Sequence, residues 1–139
     1  MAMETWEPRP LPVVSPETAP FWEAASDGEF LVCRCNDCEL TYYYPRALCP
    51  DCFSDDVDWR PAVGTGTVYS YSVTERADGW PEAALPLVVA YVELTEGPRV
   101  LTNLVDCDPE AIEIGAEVEV AFVPSETHDD LSVPVFELV

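Results

Sequence analysis

Lysine is absent from this sequence of 139 residues, and histidine occurs once, as His128. All 6 basic residues are arginines, and they face 27 acidic residues, so the formal net charge is −21. Nucleic-acid binding draws most of its affinity from basic groups that neutralise phosphates. Six arginines scattered through an acidic chain make a poor phosphate track, and an anionic membrane surface repels the chain for the same reason. The composition therefore argues against both partners.

Long apolar runs are missing as well. No stretch approaches the roughly 18 uninterrupted apolar residues that mark a membrane-spanning helix. The acidic, proline-rich start has no basic flank before an apolar run, so it does not read as a secretory signal. We therefore expect a cytoplasmic protein. Cysteines stay reduced in that compartment, where paired C-x-x-C motifs indicate metal ligands more readily than disulfides.

Catalytic motifs are equally scarce. No serine lies in a nucleophile-elbow motif, and no glycine-rich phosphate loop is present. His128 belongs to a polar segment, 125–130, that is typical of a solvated loop. The many acidic residues form no distinctive pair. The sequence therefore predicts no catalytic residues.

Six cysteines are present, and four of them follow the pattern C-x2-C-x10-C-x2-C: Cys35, Cys38, Cys49 and Cys52. Two residues between paired thiolates let both sulfurs point at one centre, and two such knuckles close a tetrahedral shell. Because cysteine fills all four positions, no place is left for a catalytic water. We predict a structural zinc ion, with iron in a rubredoxin-like site as the chemical alternative. Cys33 alternates with Cys35 and should point to the opposite face, and Cys107 reads as a small buried residue.

Three consecutive tyrosines, Tyr42, Tyr43 and Tyr44, and then Pro45 and Arg46 lie between the knuckles. The tyrosines could stack on a ligand ring such as adenine, or they could form a hairpin strand that packs on the N-terminal helix. The Arg46 guanidinium could hold a phosphate, or it could pair with one of the acids.

The rest of the chain divides into three parts: 1–28, an arm and a helix; 29–61, the zinc ribbon; and 62–139, a β domain. The arm contains three prolines within residues 1–14, and Ser15-Pro16-Glu17 predicts a helix start. That helix should end at Asp27-Gly28 and bury Phe21 and Trp22 against the body of the protein or against a partner. A strand should follow at 29–34, and residues 55–61 read as a hinge.

Alternating apolar residues predict five strands in the β domain, at 66–74, 87–94, 100–105, 117–123 and 133–138. One helical turn capped by Asp108 separates the third strand from the fourth. This order fits a five-stranded Greek-key barrel of the OB type. The predicted fold class is therefore mainly β: an N-terminal helix, a four-cysteine zinc ribbon and a C-terminal OB-fold barrel.

In this order the motifs resemble those of the zinc-ribbon plus OB-fold family of acyl-CoA-associated proteins. The resemblance covers residues 15–139 and rests on Phe21-Trp22, Pro45-Arg46, Cys49-Pro50-Asp51-Cys52, Trp59, Gly64-Thr65-Gly66-Thr67-Val68 and the strand beginning at Pro86. Two positions depart from the family pattern, which usually has glycine after each knuckle: Glu39 and Phe53 stand there instead. These departures affect knuckle geometry but remove no ligand.

The resemblance implies a non-catalytic accessory subunit of a thiolase-superfamily enzyme, such as a thiolase, a hydroxymethylglutaryl-CoA synthase or an aldolase. Such a subunit stabilises its catalytic partner in a hetero-oligomer and helps to bind acyl-CoA. We expect Phe21 and Trp22 to contact the partner, and Arg46, Tyr42 and Tyr44 to contact CoA. The alternative is a module that binds single-stranded nucleic acid, since ribbons and OB barrels serve there too. A third possibility is a small enzyme that uses His128 as its acid–base group.

The charge of −21 also suggests a halophilic protein from a salt-rich cytoplasm, although a GC-rich genome likewise depletes lysine. Self-repulsion destabilises a compact acidic chain at low salt. The Debye length falls from about 10 Å at 0.1 M salt to about 3 Å at 1 M, where this repulsion is screened.

We therefore predict that the melting temperature, followed by circular dichroism, rises when KCl is raised from about 0.1 M to about 1 M and beyond, because salt screens the repulsion between carboxylates. Equal or greater stability at the lower concentration would contradict salt adaptation.

Overall fold

The computed structural model describes residues 5–139, which form one helix and two β-sheets. The elements, in chain order, are α1 (Ala19–Ser26), β1 (Leu31–Cys35), β2 (Thr41–Tyr42), β3 (Val57–Pro61), β4 (Thr65–Thr74), β5 (Leu87–Leu94), β6 (Arg99–Leu104), β7 (Glu117–Pro124) and β8 (Ser132–Leu138). Short 3-10 turns at Glu82–Ala84 and Pro109–Ala111 precede β5 and β7. No helix among the described residues is long and apolar enough to cross a membrane.

Strands β4 to β8 form the predicted five-stranded barrel, closed in the order β4-β5-β6-β8-β7. All neighbours pair antiparallel except β6 and β8, which meet in parallel at Leu104 and Phe136. Val68, Val92, Val118 and Phe136 are almost completely buried inside. The mainly β fold class and the OB order of strands are confirmed.

The ribbon is a three-stranded sheet of order β2-β1-β3. The interpretation of residues 55–61 as a hinge is wrong, because β3 pairs with the whole length of β1, from Leu31–Pro61 to Cys35–Val57. Asp55, Asp56 and Pro61 suggested a linker, yet alternation within β3 leaves Val57 and Trp59 half-buried against the sheet. Backbone pairing with β1 outweighs the weak local propensity.

Helix α1 begins later than the sequence predicted. Ser15 and Thr18 close a hydrogen-bonded turn, in which the Ala19 amide donates to the Ser15 carbonyl at 2.8 Å. Regular helix starts only at Ala19, with Pro20 in its first turn. Proline lacks an amide hydrogen, so a helix tolerates it only where that donor has no partner. The predicted end is confirmed, since Ser26 is the last helical residue and Gly28 has a φ of 80°.

A cluster of aromatic rings joins the helix, the ribbon and the barrel. The Phe30 ring stacks on Tyr43 at 5.7 Å and contacts Phe21 and Phe136 edge-on at 5.6 and 5.9 Å. Phe21 belongs to α1, Tyr43 to the ribbon and Phe136 to β8. Aromatic pairs of this kind contribute about 0.5–1.5 kcal/mol each beyond their buried area. The orientation of the ribbon on the barrel is therefore fixed by packing.

The N-terminal arm is docked on the barrel rather than free. Trp6 is 4% exposed, packs with Val123, Val133 and Val135, and meets Trp80 edge-on at 5.7 Å. Its amide donates to the Pro124 carbonyl at 2.9 Å. The first four residues of the predicted arm lie outside the described part of the chain.

Glu7 fastens this arm to the loop that follows β7. Its carboxylate accepts hydrogen bonds from the Ser125 hydroxyl, the Thr127 hydroxyl at 2.6 Å and the Glu126 amide at 2.7 Å. These donors, with Ser125 the strongest, hold the pKa of Glu7 far below its usual range. The donors stabilise only the ionised form.

We predict that Glu7→Gln lowers the melting temperature near neutral pH, because an amide presents hydrogens to these donors. A depressed pKa contributes stability above the unfolded value, 4.5, which is lost as pH falls through the folded value. The gap between wild type and variant should therefore shrink below about pH 4.5. Glu126→Gln serves as the control, because it removes one carboxylate from the loop to which Glu7 binds and keeps the Glu126 amide. A gap that is independent of pH would refute the role of the carboxylate.

Candidate zinc centre and ribbon surface

The four predicted cysteines converge on one point. Their sulfur atoms all lie within 4.8 Å of one another, and the Sγ atoms of the pairs Cys35–Cys52 and Cys38–Cys49 are 3.5 Å apart. A tetrahedral zinc ion with Zn–S bonds of about 2.3 Å separates its sulfur ligands by about 3.8 Å. Four thiolates at this spacing fit zinc, with no ligand position left for water.

The two knuckles repeat the same local geometry. The residue after the second cysteine donates its amide hydrogen back to the carbonyl of the first, from Glu39 to Cys35 and from Phe53 to Cys49, each at 3.0 Å. The Cys52 and Asp51 amides face the Cys49 thiol and lower its pKa to about 7, whereas burial and the neighbouring thiols raise the pKa values of Cys38 and Cys52. A lowered thiol pKa favours the thiolate, which is the form that binds metal.

Glu39 and Phe53 occupy the left-handed backbone region, with φ values of 67° and 63°. This explains why glycine is common there in the family that the sequence resembles, since glycine enters that region without steric cost. Any other residue costs roughly 1–2 kcal/mol. Zinc binding in small zinc-finger peptides contributes about 10–16 kcal/mol, so the metal can sustain both strained residues. The left-handed residues leave both ligand pairs, Cys35–Cys38 and Cys49–Cys52, within the four-cysteine cluster.

The two remaining cysteines lie outside the cluster. Cys33 is 2% exposed, and its position in β1 is opposite Tyr42 and Trp59. The expectation that it points to the opposite face from Cys35 is wrong, because residues two apart in a strand line the same face. Burial raises the pKa of its thiol. Cys107 is half-buried beyond β6, where burial also raises its pKa. Neither belongs to the group of four candidate ligands.

The three tyrosines lie in three different environments. Tyr42 is 7% exposed, and its hydroxyl donates to the Arg46 carbonyl at 2.8 Å. Tyr43 packs in the aromatic cluster, and Tyr44 is 61% exposed. Tyr43 therefore packs on the N-terminal helix, which is one of the two alternatives predicted for the tyrosines. Of the proposed CoA contacts, Tyr44 and Arg46 face solvent, whereas Tyr42 holds the Arg46 backbone in place.

Arg46 lies beside a surface depression of about 490 Å³ next to the second knuckle. The depression is lined by Glu17, Tyr44, Pro45, Arg46, Leu48, Cys49, Pro50 and Phe53. Sequence reasoning missed Leu48 and Phe53, which are 50% and 73% exposed. A phenylalanine at a position that favours glycine was the available signal. None of the ion pairs among the described residues involves Arg46.

Phe21 and Trp22 differ in burial. Phe21 is 2% exposed and packs in the core, which is the first of the two predicted possibilities for it. Trp22 is half-buried and contributes to a groove of about 180 Å³ between α1 and β6, which Leu101 also lines. Only Trp22 of this pair reaches a surface that a partner could touch.

His128 lies in the exposed loop after β7, as predicted. Its Nδ1 atom is 2.9 Å from the Thr127 hydroxyl, and no carboxylate contact to its ring occurs among the described residues. A general base needs an orienting partner and a pocket for substrate. The described residues bring no such set together around His128.

We predict that Cys49→Ser abolishes zinc binding, because it removes one of four thiolate donors from a closed shell. Metal analysis should find about one zinc per chain in wild type and in Cys33→Ser, and little in Cys49→Ser. Cys33→Ser is the matched control, since it changes a buried cysteine of the same ribbon that lies outside the group of four candidate ligands. Loss of zinc from the control, or its retention in Cys49→Ser, would contradict this ligand set.

Comparison with known proteins agrees with this two-part architecture. Residues 22–58 match the family described as "ChsH2, rubredoxin-like zinc ribbon domain", and residues 59–123 match "ChsH2, C-terminal OB-fold domain". A solved chain of the Ltp2-ChsH2(DUF35) aldolase superposes with a TM-score of 0.78 at 39% identity, over 92% of this chain and 98% of that one.

Two curated relatives extend the comparison. A probable enoyl-CoA hydratase alpha subunit of Thermomonospora curvata is 41% identical over 92% of this chain, which spans only 39% of that protein. A DUF35 domain-containing scaffold protein of Methanothermobacter thermautotrophicus is 40% identical over 64% of this chain and 68% of its own length. The four-cysteine cluster is thus a structural zinc site, and the chain belongs to the ChsH2 (DUF35) family of zinc-ribbon and OB-fold proteins.

Proposed function

We propose that this chain is a non-catalytic accessory subunit of a thiolase-superfamily enzyme acting on acyl-CoA: a thiolase, a hydroxymethylglutaryl-CoA synthase or an aldolase. It stabilises the catalytic subunit in a hetero-oligomer and helps to bind acyl-CoA. The likeness to nearly the whole ChsH2 chain of an aldolase carries the proposal. Relatives named as a hydratase subunit and as a scaffold protein support an acyl-CoA enzyme and a scaffolding role.

The geometry of the described residues supports a non-catalytic role. Cysteine fills all four candidate ligand positions, so the metal site offers no open position for substrate. His128 has no orienting carboxylate among the described residues. The net charge of −21 supports a salt-rich cytoplasm as the location of the complex.

Purification of the native complex at high KCl tests this function. Mass spectrometry should identify a thiolase-fold catalytic subunit in constant ratio to this chain, with about one zinc per copy. The isolated chain should not turn over acyl-CoA, and adding it to the catalytic subunit should raise that subunit's melting temperature. Purification alone or with nucleic acid would refute the proposal, and a hydratase in place of a thiolase would refute its choice of enzyme superfamily.

The surface depression that Arg46 lines next to the second knuckle, here called the ribbon depression, is the proposed acyl-CoA contact. CoA phosphates are anionic and are repelled by most of this acidic surface. Arg46 has no ion pair among the described residues, so its guanidinium is available to bind a phosphate. Tyr42 fixes the Arg46 backbone through its hydroxyl, and Tyr44 offers an exposed ring in the lining of the same depression. The one acid lining the depression, Glu17, accepts a hydrogen bond from the Ala47 amide at 2.7 Å.

We predict that Arg46→Ala weakens binding of acyl-CoA by the assembled complex about tenfold, because a charge-assisted contact contributes roughly 1.5–3 kcal/mol. Isothermal titration calorimetry with acetyl-CoA provides the measurement. Arg76→Ala is the matched control, since Arg76 is also exposed and has no ion pair among the described residues. Unchanged affinity in Arg46→Ala would retire this contact while leaving the scaffolding role intact.

A further inference from the structure

The outer surface of strands β4, β5 and β6 carries apolar and hydroxyl side chains in register. Tyr91 of β5 lies opposite Ser70 of β4 and Leu101 of β6, so these three residues form one row across the sheet. Val89 lies opposite Ser72 in the next row. We call this surface the barrel face and define it by Tyr69, Ser70, Ser72, Val89, Tyr91 and Leu101.

The barrel face is exposed and uncharged. Tyr69, Tyr91 and Leu101 are 48%, 46% and 56% exposed. The adjoining row contains the charged residues Glu93 and Arg99, which neutralise each other in an ion pair at 3.2 Å. The Arg99 guanidinium also lies 3.8 Å from the centre of the Tyr69 ring.

Strand β7 shows what an ordinary outer surface of this protein looks like. Glu117 and Glu119 are exposed there, alternating with the buried Val118. An acidic chain of this kind keeps its strands soluble by placing carboxylates outward. The barrel face departs from that pattern across three adjacent strands. Depletion of charge together with enrichment in tyrosine is typical of the centre of a protein interface.

The position of the barrel face on the barrel narrows the class of ligand that could bind there. β5 and β6 are the second and third barrel strands, whose outer surface binds oligonucleotides or oligosaccharides in many OB folds. Nucleic acid needs unpaired cations, whereas the Arg99 at this surface is already paired with Glu93. A second copy of the chain would bring two molecules of charge −21 together. An uncharged protein surface fits the charge pattern best.

We infer that the barrel face docks an uncharged, apolar surface of the catalytic subunit, with Tyr91 and Leu101 at the centre of the contact. This inference rests on the proposed accessory function and locates its protein interface. The groove lined by Trp22 and Leu101 continues the barrel face towards helix α1. The interface therefore lies on the barrel and α1, whereas the proposed CoA contact lies on the ribbon.

The test uses the full chain and the catalytic subunit separated from the native complex, titrated calorimetrically at one KCl concentration. Tyr91→Asp and Leu101→Asp each place a carboxylate in the apolar centre and should weaken binding at least about tenfold, as expected for interface hot spots. Val63→Asp makes the same change at a residue that is 73% exposed outside the barrel face, and should leave the affinity unchanged.

Unchanged affinity in both face variants, with wild type bound, would overturn the inference and leave the proposed function standing. Failure of wild type to bind any acyl-CoA catalytic subunit would overturn both. Binding of an oligo-dT probe, or self-association in sedimentation equilibrium, that the same variants abolish would also overturn it. Near-UV circular dichroism verifies folding, and Tyr91→Ser, which adds no charge, gives the answer if an aspartate variant unfolds.

Discussion

The convergence of four thiolates on one metal ion is the constraint on which the ribbon depends. The ribbon sheet has one strand of five residues, one of two and another of five, and its two knuckles are largely exposed. A module of fewer than about 40 residues rarely buries enough apolar surface to hold its own loops. The metal substitutes for that missing core. The positions of Tyr44, Arg46 and Phe53 follow from the knuckle geometry, and so does the depression that they line.

The barrel, unlike the ribbon, has a hydrophobic core of its own. Its core of valines and Phe136 needs no metal, and its five strands close into one barrel. The aromatic cluster of Phe21, Phe30, Tyr43 and Phe136 then transmits a fixed orientation from barrel to ribbon. Among the described residues, the ribbon depression has one acid in its lining, Glu17, and the barrel face has none. A rigid connection between them suits a subunit that holds an enzyme with one surface and a ligand with the other.

Much of this architecture was predictable because it depends on the spacing of residues that are close in sequence. The x2 and x10 intervals identified the zinc ligands, and alternating valines identified the barrel strands. Errors arose where a distant partner decides the structure. Val57–Pro61 becomes a strand only because β1 lies beside it. The late start of α1 is a local effect, in which Pro20 outweighs the favourable start at Ser15.

The docking of the arm through Trp6 and Glu7 joins residues about 120 positions apart, which no local pattern encodes. The three tyrosines show a related limit. Three consecutive tyrosines fit either stacking on a ligand ring or packing in a hairpin strand, and the structure was needed to assign Tyr42 to the Arg46 carbonyl and Tyr43 to the aromatic cluster.

Hydrogen exchange of the backbone amides, followed by mass spectrometry before and after zinc is removed with a chelator, tests most directly the division between a metal-held ribbon and a self-sufficient barrel. Protection should be lost in residues 35–54 and kept in strands β4 to β8. Protection kept in the ribbon without zinc, or lost in the barrel to the same extent, would contradict it.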